Sequence, residues 1–152
     1  MKKLTIIEIT DIYLENAKPK DGTLSREHGF NEKSHDDEIS IASVLFTNYG
    51  GDIVLLAEES FRKENPDYRW NGKLWDLKTP SKIKNLGKLV QKGLSQIFTS
   101  PGGLIIDVSG LKEPQEKIER AVEERMQTSM RHTIDAIFIR DQTVVKVLRY
   151  KK

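Results

Sequence analysis

Cysteine is absent from the 152 residues, which excludes disulfides and thiolate-bound metals and is neutral about compartment. Histidine is scarce: His28, His35 and His132 are the full set, with no HxxxH pair, so an imidazole-built zinc site has no support. No apolar run approaches the ~18 residues of a membrane-spanning helix. The opening MKKLTIIEIT has the basic start of a secretory signal, but Glu8 and Asp11 interrupt its apolar stretch and no small-residue cleavage site follows. It reads as a strand, and the chain as a cytoplasmic protein without membrane contact. Repeats and low-complexity segments are missing as well.

What remains is an ordinary globular composition, 37% apolar and 32% charged, in a chain long enough to bury a core as one domain. The net charge of +2 is unevenly spread. Residues 61–100 carry nine Lys/Arg against three Asp/Glu, and residues 101–130 four against six. The basic stretch is compatible with a polyanionic partner.

Residues 1–33 are expected to form an N-terminal strand (Leu4 to Ile9), a turn of helix and a flexible arm. The arm, AKPKDGTLSREHGFNEK, is polar and rich in turn formers, and short β segments are its alternative reading. From residue 34 a folded domain runs to 152. Ser34 is placed to cap a helix with Asp36, Asp37 and Glu38 in its first turn, Ile41, Val44 and Leu45 as its apolar stripe and YGG as its stop. DIVLLAEE (52–59) reads as a buried strand. Ile83, Leu86, Val90, Leu94 and Ile97 mark a second helix after Pro80, with Lys84, Lys88 and Lys92 as a basic stripe on another face. SPGG (100–103) is a break and LIIDVSG (104–110) a strand. A third helix opens at Glu113–Pro114 with Ile118, Val122, Met126 and Met130 inward. A hairpin turning at Asp141–Gln142 closes the chain. This order predicts an α/β (α+β) domain, a central mixed sheet flanked by helices.

The stretch NPDYRWNGKLWDLKTP, residues 65–80, carries the chemistry. Asn71-Gly72 calls for a two-residue type I′ turn, which sets Trp70 against Lys73, Arg69 against Leu74, Tyr68 against Trp75 and Asp67 against Asp76. Alternation then puts Tyr68, Trp75 and Leu77 on one face and Asp67, Asp76 and Lys78 on the other. Opposed carboxylates repel unless something offsets their charge. A hard divalent cation does so through carboxylate oxygens, and a neighbouring lysine can orient water or stabilise charge on a phosphate. The competing reading is a solvated strand face on which the charges are merely screened.

Pro66-Asp67, eight residues, then Asp76-Leu77-Lys78 resembles the PD-(D/E)xK nuclease motif. The succession of acidic helix, strand, hairpin, basic helix and strand resembles that superfamily's αβββαβ, restriction-endonuclease-like core. Residues 34–110 look more narrowly like the C-terminal tRNase domains of contact-dependent growth-inhibition toxins and their mobile-element relatives. The resemblance implies a nuclease-like domain over 34–152 and a metal-dependent endonuclease using Mg2+ or Mn2+. It makes Asp67, Asp76 and Lys78 catalytic, and it adds Glu38, by position, to Asp67 and Asp76 as a metal ligand; Glu58 is a weaker candidate. It tilts the substrate towards RNA, tRNA in particular, over DNA, and implies an immunity or antidote protein as a partner. The chain differs from such toxins in opening at Met1 with no delivery region.

Other residues carry paired readings. Lys82, Lys84, Lys88 and Lys92 track a phosphate backbone or form a solvated helix face. His35 assists the site or sits in a surface cap; it is also the residue on which a metal-free ribonuclease would rely. Asp107 is a remote acidic contact or a turn-former. Trp70 and Trp75 stack on bases or fill the core, with Trp75 expected inside. Lys146, Arg149, Lys151 and Lys152 contact phosphate or solubilise an edge. A nucleic-acid- or partner-binding domain on an inactive nuclease scaffold is the non-enzymatic alternative.

Overall fold

The computed structural model describes residues 3–152. Alternation and helical periodicity in the sequence resolve into one eight-stranded mixed sheet with helices on both faces, an α+β domain. The elements in chain order are β1 (Thr5–Glu8), α1 (Thr10–Glu15), β2 (Gly22–Arg26), α2 (Asp36–Tyr49), β3 (Gly51–Leu55), β4 (Tyr68–Trp70) and β5 (Lys73–Lys78), followed by α3 (Leu86–Gln96), β6 (Pro101–Asp107), α4 (Gln115–Ser129), β7 (Ile134–Arg140) and β8 (Thr143–Lys151). The sheet order is β1-β8-β7-β6-β5-β4-β3-β2. β5, β6 and β7 are parallel neighbours joined through α3 and α4, β2 is parallel to β3, and the other pairs are antiparallel. Among the described residues no helix is long and apolar enough to cross a membrane.

Each central strand feeds two cores by turns. Ile105, Ile137 and Ile139 point to the side holding Ile41, Ala42, Val44 and Leu45 of α2, with Ile9 just before α1. Leu104, Ile106, Ala136 and Phe138 point to the side holding Leu86 and Val90 of α3 and Ile118, Val122 and Met126 of α4. Fully burying one such side chain contributes about 1.5–3 kcal/mol, so this double-sided packing fixes the register of β5 to β7 against a slip.

The predicted hairpins form as read. Asn71 and Gly72 both have positive φ, as do Asp141 and Gln142, and the ladder pairs Trp70 with Lys73, Arg69 with Leu74 and Tyr68 with Trp75. Four details depart from the sequence reading. Residues 17–33 contain β2, an exposed strand held on the sheet edge by parallel pairing of Gly22–Arg26 to Gly51–Leu55. Ser34 does not cap α2: it ends a short 3-10 turn (Glu32–Ser34), its hydroxyl accepts from the Asn31 amide, and α2 begins behind His35. The SPGG segment is not a break, because β6 starts at Pro101. Gly102 and Gly103 are there for close approach, a Cβ on Gly102 falling 2.3 Å from Trp75 Nε1 and one on Gly103 2.0 Å from the Asp135 carbonyl. Finally, a 3-10 turn at Ile83–Asn85 precedes α3, so Lys84 lies outside the α-helix and the basic stripe is not one continuous helical row.

Candidate active site

The two ends of the Asn71-Gly72 hairpin set the site. On β5, Leu74, Asp76 and Lys78 face α3, while Trp75 and Leu77 face α2. Two polar side chains therefore occupy a row that continues the apolar layer beneath a helix. Gly93 makes this packing feasible: a Cβ there would stand 2.7 Å from Leu104 Cδ2, 3.2 Å from Lys78 Cε and 3.7 Å from Asp76 Oδ2. Asp76 is only 2% exposed.

Asp67 lies one residue before β4, where its carbonyl accepts from Leu56 N and its carboxylate Oδ2 accepts from Leu77 N at 2.7 Å. The side chain thus takes over a ladder position from the backbone, and the expected Asp67–Asp76 opposition brings the two carboxyls close enough for each to act on the other's charge. Glu38 joins from α2, close enough for Asp67 and Asp76 to act on its carboxyl. It is brought in by Tyr68, a buried phenol that donates to the Glu38 carbonyl at 2.6 Å. On Glu38's other side His35 Nδ1 is 3.0 Å from Oε1. The four residues singled out from the sequence, Glu38, Asp67, Asp76 and Lys78, therefore line one cleft of about 550 Å³.

Three carboxylates in contact cannot all ionise cheaply. Burial, with Asp67's charge adding to it, pushes Asp76 up to about 8, although the Lys78 ammonium opposes the shift. Burial also pushes Asp67 up to about 7, with Glu38's charge contributing, and raises Glu38 in the same direction. The raised values favour the protonated, uncharged form of these carboxyls, which lowers their mutual repulsion. Lys78 Nζ stands 2.8 Å from Asp76 Oδ2 yet off the line of a good hydrogen bond, so that buried oxygen has an ion-pair neighbour and no aligned donor.

The donor set is all carboxylate oxygen, the chemistry that hard divalent ions select, and one of its oxygens is buried without an aligned donor. Among the described residues no group of three acidic or imidazole side chains is arranged to hold a metal ion as it stands. A divalent ion would need these carboxyls to re-aim their oxygens at a common point.

Glu58 also lines the cleft, exposed, and its charge acts on Glu38. Of the lysines read as phosphate contacts, Lys92 lines the cleft and Lys82, Lys84 and Lys88 do not, though all four are exposed. Lys33, hidden from sequence reasoning inside the supposed arm, lines it as well. Elsewhere the side chains singled out from the sequence lie in local contacts or in the core. Asp107 accepts from Ser109 N and Oγ in a turn. Trp70 and Trp75 are both buried. Lys146 pairs with Glu119, Arg149 with Asp135, and Lys152 donates to the Gln127 carbonyl.

The sequence profile described as the contact-dependent growth inhibition CdiA C-terminal domain matches residues 63–144, over half of the chain and including Asp67, Asp76 and Lys78. The chain belongs to this family. A structural comparison agrees in fold: this CdiA C-terminal domain superposes on a chain of a CdiA-CT/CdiI toxin and immunity complex from Burkholderia pseudomallei with a TM-score of 0.51 at 17% identity, covering 80% of this chain and 97% of that one. No curated protein matches the sequence.

Proposed function

We propose that this CdiA C-terminal domain is the toxic module of a growth-inhibition system and acts as a PD-(D/E)xK-type, metal-dependent endonuclease. The observation that carries the reading is the gathering of Glu38, Asp67, Asp76 and Lys78 in one cleft, with an ammonium 2.8 Å from a buried carboxylate oxygen. Asp67 and Asp76 would hold Mg2+ or Mn2+, and Glu38 would assist directly or through water. Bound there, the ion supplies Lewis-acid polarisation of a phosphoryl oxygen and a more acidic water. Lys78 orients the attacking water and stabilises charge growing on the phosphate. Lys33 and Lys92, at the cleft, draw in the polyanion.

RNA, tRNA in particular, is the proposed substrate over DNA, met in the cytoplasm of the cell attacked. The structural neighbour comes from a complex of toxin and immunity protein, which supports an antidote protein as the partner here. Incubation with tRNA and with duplex DNA, with and without EDTA, tests the reading: EDTA-sensitive cleavage lost in both Asp67→Ala and Asp76→Ala is expected. No EDTA-sensitive cleavage of either substrate would sink it. The His35–Glu38 contact favours one second reading, metal-free acid–base cleavage, which EDTA-resistant cleavage abolished by His35→Ala would single out.

A further inference from the structure

At the other end of the sheet from the carboxylates lies a second cavity, about 470 Å³, which the cleavage chemistry does not use. It opens where α1, the end of α2, the tip of the β4–β5 hairpin and the starts of β6 and β7 meet. Its walls are aromatic. Tyr13 and Tyr49 pack edge to face with centroids 5.4 Å apart, Tyr13 meets Trp70 at 6.4 Å, and Trp70 meets Trp75 at 5.1 Å. Tyr13 is the half-buried ring of the group, the others being buried.

A structural Asp–Arg pair forms part of the wall. Arg149 Nε and Nη2 grip Asp135 at 2.7 and 3.0 Å, and the Tyr13 hydroxyl donates to Asp135 at 2.7 Å. Asp135 is thereby spent, and among the described residues Arg149 Nη1 has no partner. The ammonium of Lys73, exposed at the same cavity, has no carboxylate among the described residues. Two neutral side chains are half used. Asn16 donates to the Ile12 carbonyl and Asn71 accepts from Asp52 N; among the described residues the Asn16 oxygen and the Asn71 NH2 have no further partner. An aromatic wall, an unused donor and acceptor, and two cationic groups at one cavity match a planar heterocycle that carries an anion.

We propose that this cavity is a nucleotide site, taking a base against Tyr13 within reach of Asn16 and Asn71 and a phosphate at Lys73 and Arg149. The nucleotide comes either free or as one unit of a single-stranded RNA. The site does not depend on chemistry at the carboxylate cluster.

The chain's two tryptophans, Trp70 and Trp75, both line this cavity and neither lines the carboxylate cleft. Tryptophan emission therefore reports on it selectively. The full chain is titrated in EDTA, which withholds metal-dependent cleavage, with AMP, GMP, CMP and UMP and separately with a short single-stranded RNA. A saturable emission change is expected, weakened about tenfold or more by Lys73→Glu, which removes one charge-assisted hydrogen bond. Thr133→Phe, which fills the mouth from an exposed position, is expected to remove it, and circular dichroism confirms that both variants fold. Saturation by mononucleotides identifies the free ligand, and saturation by RNA alone identifies a strand; either supports the site. No saturable change with any probe at millimolar concentration, or a change that survives both substitutions in folded protein, overturns it. Metal-dependent cleavage can fail while this binding stands, and the reverse.

Discussion

The phenol of Tyr68 donates to the main-chain carbonyl of Glu38 at 2.6 Å, tying the first turn of α2 to the hairpin that carries both aspartates. Tyr68 itself is fully buried in the core beneath α2, so one side chain both packs the hairpin and aims an acidic residue at it. Tyr68→Phe keeps the ring and removes the tie. The expected result is a stability loss of about 1 kcal/mol with a drop in kcat of about 10- to 100-fold, the range for groups that orient a ligand-bearing residue. Thermal unfolding and single-turnover cleavage separate the two effects. Unchanged kcat would show that Glu38 needs no such anchor.

The carboxylate cluster makes metal-free stability depend on pH in a defined direction. Asp67 and Asp76 titrate near 7 and 8 in the folded chain and near ~3.9 when unfolded. The folded state therefore binds more protons between those values. Its advantage is complete below ~4 and is lost as pH rises through 7 and 8. Metal-free protein is expected to melt several degrees lower at pH 8 than at pH 5, each kcal/mol being worth about 2–4 °C in a chain of this size. Mn2+ should restore more at the higher pH, where it replaces charge repulsion. Asp76→Asn should flatten the slope and abolish cleavage together. A melting temperature that rises from pH 5 to pH 8 in EDTA would contradict the protonated cluster.

How much of this was legible in the sequence follows from the range of the interactions. The Asn71-Gly72 turn and two-residue alternation are local, so the pairing of Tyr68 with Trp75 and the shared face of Asp76 and Lys78 could be read directly. The buried line of Ile118, Val122, Met126 and Met130 was periodic and equally plain. β2 was legible only as the alternative to a flexible arm, because all five of its residues are exposed and hydrogen bonds to β3 define it. Ser34 misled because a cap depends on where the chain enters the helix, and Asn31 claims its hydroxyl. The hydrogen bond from Leu77 N–H to the Asp67 carboxylate and the Tyr13–Asp135–Arg149 group join residues with no shared periodicity. Lys33 and Lys92 reach the cleft only because α2 and α3 lie on opposite faces of one sheet end.

The exposed lysines differ in position, and their variants should differ in kind. Lys92 lines the cleft, whereas Lys84 and Lys88 lie outside it. Lys84→Ala with Lys88→Ala should leave kcat alone and reduce the salt dependence of RNA binding, by about 0.7 in log–log slope for each phosphate no longer neutralised. Lys92→Ala should lower kcat/KM at every salt concentration. Cleavage rates across a potassium chloride series make the comparison. Identical behaviour of Lys92 and the outer pair would mean that the cleft edge has no special hold on the strand.

One helix offers a matched pair of glycine substitutions that tests the packing of the site against simple helix propensity. Glycine inside a helix costs roughly 0.8–1 kcal/mol relative to alanine, so Gly→Ala stabilises wherever the added methyl finds room. At Gly87 its nearest neighbour is the Arg125 side chain, at 3.3 Å, a long group able to move. Gly87→Ala is expected to be neutral or stabilising with cleavage intact. At Gly93 the methyl enters at 2.7 Å from Leu104 and 3.2 Å from the Lys78 stem, in a row with no slack. Gly93→Ala is expected to cost about 1–3 kcal/mol, as overpacked cores do, and to displace Lys78 from Asp76. Cleavage should then fall by more than the unfolded fraction explains, measured at a temperature where both variants remain folded. If Gly93→Ala matched Gly87→Ala in stability and rate, the close seating of α3 on Asp76 and Lys78 would have no part in holding the site together.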